Sequence, residues 1–389
     1  LTDCDLLVTN ATTCLPSGVS SGSWIAIREG RISACGASEK TPSAKFSVDA
    51  KGQFVSSGLV DIHCHGGNGG AIVAGNSSKT KDGVRNAVRF HNEKGSTRVY
   101  ISAVSMSEAD TLLAIHDIRN LIDSCEGLEG LHLEGPFLNP NKGGAHEPSN
   151  LRLPMREEVV SLISAADELP VRITLAPELD GGIEAVSSFS AAGWNVSVGH
   201  TEATSEQTKL AIQAGASDLT HAFNAMNGVK GREPGPVGAA VSDPSVFVEL
   251  IADGQHLSAE VLQILFAAIP ERVVLVSDSI AAAGQPDGSG NLGGLKISIS
   301  AGVARTSEGS LAGSTKSLSW AVRYLIKTCG IDPFLAISAA SQNPASAISR
   351  QNDFGSLTVG AAGDLVLWDD DFVPSRIWRG GVEITSESA

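Results

Sequence analysis

The sequence predicts an α/β chain: a (β/α)8 TIM-type barrel with a small β-sandwich built from both chain termini. Three observations carry that prediction. Eight short apolar runs each read as a strand covered on both faces, and stretches with helical spacing of apolar residues lie between them. Strand and helix alternating through short connections imply a parallel sheet, and eight such units imply closure. Five of the runs end in histidine, glutamate or aspartate, and one face of a parallel barrel is where strand ends collect their chemistry.

In chain order the strands are expected at 59–62, 97–102, 128–133, 171–175, 195–199, 218–220, 246–252 and 273–277. Helices are expected at 81–94, 108–124, 156–168, 183–192, 205–214 and 258–268, several of them stopping at a glycine (Gly95, Gly193, Gly215) suited to a helix C-terminus. The chain has 389 residues, more than the roughly 250 of a bare barrel. The surplus sits at the ends. Residues 1–56 hold β-like runs at 5–9, 23–28 and 31–34, and residues 355–389 hold runs at 365–368 and 376–378. Two terminal β segments flanking a barrel (57–354) most simply pair into one sandwich beside it.

The net charge of −15 argues against nucleic acid or a membrane surface as the main partner. No segment approaches the ~20 apolar residues of a membrane span, and no signal peptide is visible in a chain that starts here at Leu1. The six cysteines are scattered without paired spacing, which suits free thiols in a cytoplasmic protein better than a disulfide framework.

The strand-end residues carry the chemistry. His63 and His65 are two apart, so on an extended strand they point to one side and can grip one ion. Two exposed histidines on an edge strand have the same spacing, but a buried run opening into Gly66-Gly67 favours a site. Cys64 points the other way and reads as packing. Glu134 closes an apolar run, where an unpaired buried carboxylate costs on the order of several kcal/mol and requires a cation, an arginine or a metal. His132 shares its parity and is open between a supporting contact and plain packing. His200 and His221 end the fifth and sixth runs; either alone reads as a satisfied core histidine, but two at successive strand ends do not. Asp278 ends the eighth run and is the natural general base, because a carboxylate beside a water acidified by an ion can take its proton and later deliver it to a leaving group. Arg232, in Gly231-Arg232-Glu233-Pro234-Gly235, can grip a phosphate bidentately or pair with Glu233 at the surface. His256, shortly after the seventh run, faces the same mouth or is an exposed loop histidine. His91 and His116 fall in expected helices and receive no role.

His-x-His, His, His and Asp on strands one, five, six and eight resemble the amidohydrolase superfamily, as does the tail over 355–366. Many members carry a carboxylated lysine on strand four. That strand has no lysine here, and Glu134 on strand three takes its place. The narrower resemblance is to the N-acetylglucosamine-6-phosphate deacetylase family. It rests on Leu131-His132-Leu133-Glu134-Gly135-Pro136-Phe137, Gly143-Gly144-Ala145-His146, Val198-Gly199-His200-Thr201, Thr220-His221-Ala222-Phe223-Asn224-Ala225-Met226 and the Arg232 loop. Ala252-Asp253-Gly254-Gln255-His256 and Ser277-Asp278-Ser279-Ile280 follow in order.

The resemblance implies metal-dependent hydrolysis of N-acetylglucosamine 6-phosphate to glucosamine 6-phosphate and acetate, in amino-sugar catabolism. Glu134, His200 and His221 would hold one divalent ion, zinc or iron by ligand chemistry. His63 and His65, with Glu134 or Asp278, could hold a second, although some members lack these histidines and use one ion. Ala145, His146, Asn224, Ala225, Arg232, His256, Ala312 and Gly313 would contact the sugar phosphate. In the family the matching arginine crosses a two-fold interface, implying a homodimer in which Arg232 reaches the neighbouring site. The alternatives are a deacetylase for the galactosamine epimer, a cyclic amidase, or a non-catalytic barrel scaffold, the last disfavoured because every candidate ligand is present.

Overall fold

The computed structural model describes residues 4–15, 18–37 and 40–385; residues 1–3, 16–17, 38–39 and 386–389 of the expected sandwich segments lie outside the described set. All eight expected barrel strands form: Leu59–Cys64, Ser96–Ala103, Leu128–Glu134, Val171–Leu175, Asn195–Val198, Asp218–Leu219, Phe247–Leu250 and Val273–Leu275. Each is hydrogen-bonded in parallel to the next. The ladder does not run from the eighth strand to the first. That seam is joined instead by single bonds, from Asp278 N–H to the His63 carbonyl (2.9 Å) and from His65 N–H to the Ser279 carbonyl (2.8 Å). Beneath them Asp61 Oδ1 accepts the Ser277 amide at 3.2 Å.

The six expected helices are present as Ser77–Asn92, Glu108–Leu121, Arg156–Ala166, Gly182–Ala191, Ser205–Gln213 and Ala259–Ala268. Their starts follow local chemistry. Ser107 and Ser258 accept amides of the first turn, and Thr204 with Gln207 forms a reciprocal capping box. Gly95, Gly193 and Gly215 follow three helix ends at φ +98°, +81° and +117°, where a Cβ would be strained.

The expected set contains no elements at several places where the fold has them. Helices Gly235–Ser242, Leu318–Lys327, Pro333–Ala339 and Gln342–Ala347 add to the barrel wall, and Gly288–Leu292, Leu295–Ser300 and Val303–Thr306 form a separate antiparallel sheet after the eighth strand. Leu295–Ser300 alternates exposed and buried residues, the pattern of a strand with one face on the protein.

The middle barrel strands also alternate rather than being apolar on both sides. Leu131, Leu133, Ile173, Leu175, Val196 and Val198 belong to the large core shared with the helices. Between them His132, Arg172, Thr174 and Ser197 are buried and polar. Their hydrogen bonds form a connected layer: Ser102 to His132 (2.9 Å), His132 to Thr174 (2.8 Å), and Thr174 to Thr220 (2.8 Å). Such pairing is what makes a buried polar layer tolerable and rigid.

Both chain ends join one further sheet, in the order Val382–Glu383, Pro374–Arg379, Leu365–Trp368, Phe54–Ser57, Cys4–Leu15, Gly18–Arg28 and Arg31–Gly36, with Ala44–Asp49 also paired to Cys4–Leu15. Ile25, Ile27, Val55, Leu365, Leu367 and Trp378 fill its own core.

Candidate metal centre and substrate cavity

The strand ends bring the expected ligands to one buried point. Glu134 Oε1 lies 3.1 Å from His200 Nε2 and 2.9 Å from His221 Nε2, which are themselves 3.1 Å apart. Glu134 Oε2 lies 3.1 Å from His65 Nε2, and His63 Nε2 is 3.5 Å from Oε1. The Nε2 atoms of His63 and His65 are 3.2 Å apart. Glu134 therefore stands between two histidine pairs, with two sets of three ligand atoms each gathered within 4.8 Å. Imidazole nitrogens converging with a carboxylate oxygen, all buried, suit a divalent transition ion in either set.

Asp278 Oδ1 sits 3.5 and 3.4 Å from the Nε2 atoms of His63 and His65, within reach of anything held there. Burial alone would raise the Asp278 and Glu134 carboxyls, but the surrounding histidines outweigh it and hold both below their ordinary range. Conversely, burial pulls His65 down while Asp278 and Glu134 raise it, to about 9 in the metal-free protein.

The backbone at these positions is unusual. His200, His221 and Asp278 have φ of +48°, +27° and +46°, and Ala225 has +49°. Non-glycine residues in this region cost of order 1–3 kcal/mol each and persist where surrounding structure imposes them. Gly313, at φ +65°, has no such cost, and a Cβ there would meet the Asp278 carbonyl at 2.8 Å.

A cavity of about 340 Å³ opens onto the centre. It is lined by His65, Glu134, Ala145, His146, His200, His221, Asn224, Ala225, His256, Asp278 and Gly313 among the expected residues. His63 lies below it, fully buried. Ala312 is also fully buried, its amide bonded to the Ala304 carbonyl, and it supports the loop rather than lining the space. Arg232 is exposed and does not line the cavity of its own chain. Glu233 is not its partner; that carboxylate accepts the Ser205 and Gly235 amides.

Local partners set the state of two cavity histidines. The Ser105 amide donates to His146 Nδ1 at 3.1 Å, so the proton of the neutral ring sits on Nε2, 3.1 Å from Glu134 Oε2. Burial lowers His146 to about 4, making it a neutral donor. His256 Nδ1 meets Asp253 Oδ2 at 2.9 Å; burial pulls its pKa down but Asp253 prevails and raises it.

Several contributors were not legible as site residues. Asp253 positions His256, and Ser105 orients His146. Glu249, in the seventh strand, lies 3.1 Å from His63 Nδ1. Its signal is the same anomaly that marks Glu134, a carboxylate inside an apolar run. His132 has both nitrogens bonded to hydroxyls and its ring edge-on to His63 at 4.4 Å, so it forms the floor of the centre. His91 is not idle: its Nε2 lies 3.0 Å from the Gly66 carbonyl and 2.9 Å from Ser279 Oγ, bracing the loop after His65. Cys64 packs against it, its thiol pushed up to about 12 by burial.

The amidohydrolase family model matches residues 54–384. The N-acetylglucosamine-6-phosphate deacetylase of Vibrio furnissii is 33% identical over 327 residues, covering 83% of this chain and 81% of that protein. The N-acetylgalactosamine-6-phosphate deacetylase of Escherichia coli O157:H7 is 32% identical over 349 residues, covering 88% and 90%. A solved structure of a mutant N-acetyl-D-glucosamine-6-phosphate deacetylase from Mycobacterium smegmatis, in complex with N-acetyl-D-glucosamine-6-phosphate, superposes with a TM-score of 0.92 at 34% identity, covering 98% of this chain and 100% of that one.

Proposed function

This chain belongs to the amidohydrolase family, and from that premise we propose how its residues carry out metal-dependent deacetylation of N-acetylglucosamine 6-phosphate in amino-sugar metabolism. The observation that carries the reading is Glu134 between two histidine pairs with Asp278 Oδ1 within 3.5 Å of one of them. Glu134, His200 and His221 would hold the first ion, and His63 and His65, with Glu134 or Asp278, would hold a second. Zinc and iron both suit these donors. An ion there supplies Lewis acidity toward the acetamide oxygen and brings a water's pKa toward ~7.

The chain's own groups do the rest. Asp278, held ionised, accepts the proton of the attacking water as its oxygen adds to the acetamide carbon. It returns that proton to nitrogen as the C–N bond breaks, leaving acetate and the free amine. His146, a neutral Nε2–H donor on the cavity wall, stabilises the developing oxyanion. His256, made more basic by Asp253, takes part of the phosphate charge. Arg232 takes another part from the neighbouring subunit of a two-fold dimer. Its exposure outside its own cavity, with exposed Val229 three residues before it, supports that placement. Five described cysteines are free, in keeping with a reducing compartment such as the cytoplasm. Among the described residues no helix is long and apolar enough to cross a membrane.

The test is acetate release from N-acetylglucosamine 6-phosphate before and after chelation, with the galactosamine epimer alongside. Activity that is lost on chelation and restored by zinc or iron is expected. No turnover of either epimer by metal-loaded protein would refute the reading, and faster turnover of the galactosamine epimer would reassign the sugar.

A further inference from the structure

Of the four candidate ligand imidazoles, His63, His65, His200 and His221, two have a partner on the far nitrogen, and the partners differ in kind. His200 Nδ1 donates to the Lys142 carbonyl at 2.7 Å. His63 Nδ1 faces Oε2 of Glu249 at 3.1 Å, a carboxylate with no exposed surface. Among the described residues, the Nδ1 atoms of His65 and His221 have no hydrogen-bond partner.

Glu249 is itself held. Its other oxygen pairs with Arg172, equally buried, and Arg172 Nη1 donates to the Ile62 carbonyl at 2.9 Å, on the strand that carries His63. An arginine does not give up its proton, so the carboxylate it faces remains an acceptor on both oxygens. The imidazole beside that carboxylate must then present Nδ1–H. In the neutral ring the Nε2 lone pair is then the free one, and Nε2 faces His65 and Glu134. The same Glu249 oxygen accepts the His221 amide at a longer 3.3 Å, but that bond leaves the His221 ring proton undetermined.

We infer that Glu249 is the positioning residue that lets this chain hold a second ion at His63 and His65, while the first ion at Glu134, His200 and His221 stands on other supports. The inference rests on the two-ion reading above. Glu249→Gln is the informative change because Arg172 will claim the amide oxygen. The NH2 group is then turned toward His63 Nδ1, which has to accept, and the ring proton moves to Nε2, where it blocks coordination.

Chelator-stripped wild-type and Glu249→Gln proteins with matching circular dichroism are titrated with Co²⁺, reading visible absorption and bound metal. Wild type should take two ions. The variant should keep the first at unchanged affinity and bind the second about 10–100-fold more weakly. His63→Asn supplies the one-ion reference spectrum. Two ions at wild-type affinity in the folded variant would overturn the role of Glu249 alone. A single ion in wild type would overturn the two-ion reading and this inference with it. If the variant does not fold, histidine ¹⁵N spectra of the zinc-loaded wild type decide. His63 is expected to bind through Nε2 with its proton on Nδ1, and binding through Nδ1 would refute the proposal.

Discussion

The two ends of the barrel hold their charges in opposite ways. At the mouth, carboxylates and imidazoles converge on a point suited to an ion, and His200, His221 and Asp278 sit at positive φ. At the other end the Arg98 cluster is paired within the protein. Arg98 reaches Asp364 through Nε and Nη2 at 2.7 and 3.3 Å and also meets Glu129. Its guanidinium lies over Phe354, as does that of Arg350, with 5.4 and 5.0 Å to the ring centre. Asp364 additionally accepts Thr97 Oγ1 and the Gly380 amide, tying the second barrel strand to the terminal sheet. One end is arranged for a ligand the chain does not supply, the other for the chain itself, which is the division of labour a barrel permits.

Substitutions at the two ends should therefore separate activity from stability. The largest effect is expected from His200→Asn with His221→Asn, which strips two protein ligands from the first set: bound metal and turnover should fall together to background. Stability of the metal-free protein should hold, because asparagine tolerates positive φ better than histidine. Full turnover by demonstrably metal-free double mutant would remove the mouth from the mechanism. Next, Asp278→Asn should keep fold and metal while kcat drops ~10²–10⁴-fold. If more than about a tenth of kcat survives at neutral pH, the proton is handled elsewhere.

The opposite end provides the contrast. Arg98→Ala leaves Asp364 buried without its cation and should cost about 3–5 kcal/mol of stability, with kcat of the folded fraction unchanged. Denaturant melts and active-site titration check both halves, and an unaltered melt would erase the contrast.

Arg232→Ala should raise KM for the sugar phosphate roughly 10–100-fold, the worth of a charged hydrogen bond, and discriminate less against the unphosphorylated sugar. Co-refolding it with Asp278→Asn chains sharpens the point. Mixed dimers regain activity only if Arg232 serves its partner's site, so inactive, verified mixed dimers would return Arg232 to its own chain.

The smallest effect concerns pH. Asp253 raises the pKa of His256 above its usual 6.5. The imidazolium therefore persists to higher pH than it would without Asp253, and its expected contribution to phosphate binding is complete below that pKa and lost as pH climbs through it. KM should rise about fivefold across that limb, and Asp253→Asn should move the limb to lower pH. A limb that stays in place would detach His256 from phosphate binding.

Local pattern was enough for much of this. Buried β-branched runs mark strands wherever they occur, so the eight strands and the residues ending them were readable, and His63, His65, Glu134, His200, His221 and Asp278 with them. The sheet at 288–306 is not legible in the sequence because it is glycine-rich at its start and rests only one face on the protein. Asp253 and Ser105 are not legible because their importance is a hydrogen bond to a histidine, and in the case of Ser105 that histidine is 41 residues away.

What the sequence by itself determined is the inventory and its order: which donors exist, on which strand ends, and that their kinds suit a metal hydrolase. Periodicity and donor chemistry are local properties, set by residue type and spacing. Only the tertiary structure decided how those donors are used. It joined the eighth strand to the first through Asp278 and His63, turned three strand-end residues to positive φ, and gave His146 its Nε2 proton through Ser105. It also set Glu249 against His63 and left Arg232 exposed, outside the lining of its own cavity. Tautomer, backbone strain and exposure depend on which atoms from distant parts of the chain meet, and no spacing along the sequence encodes that meeting.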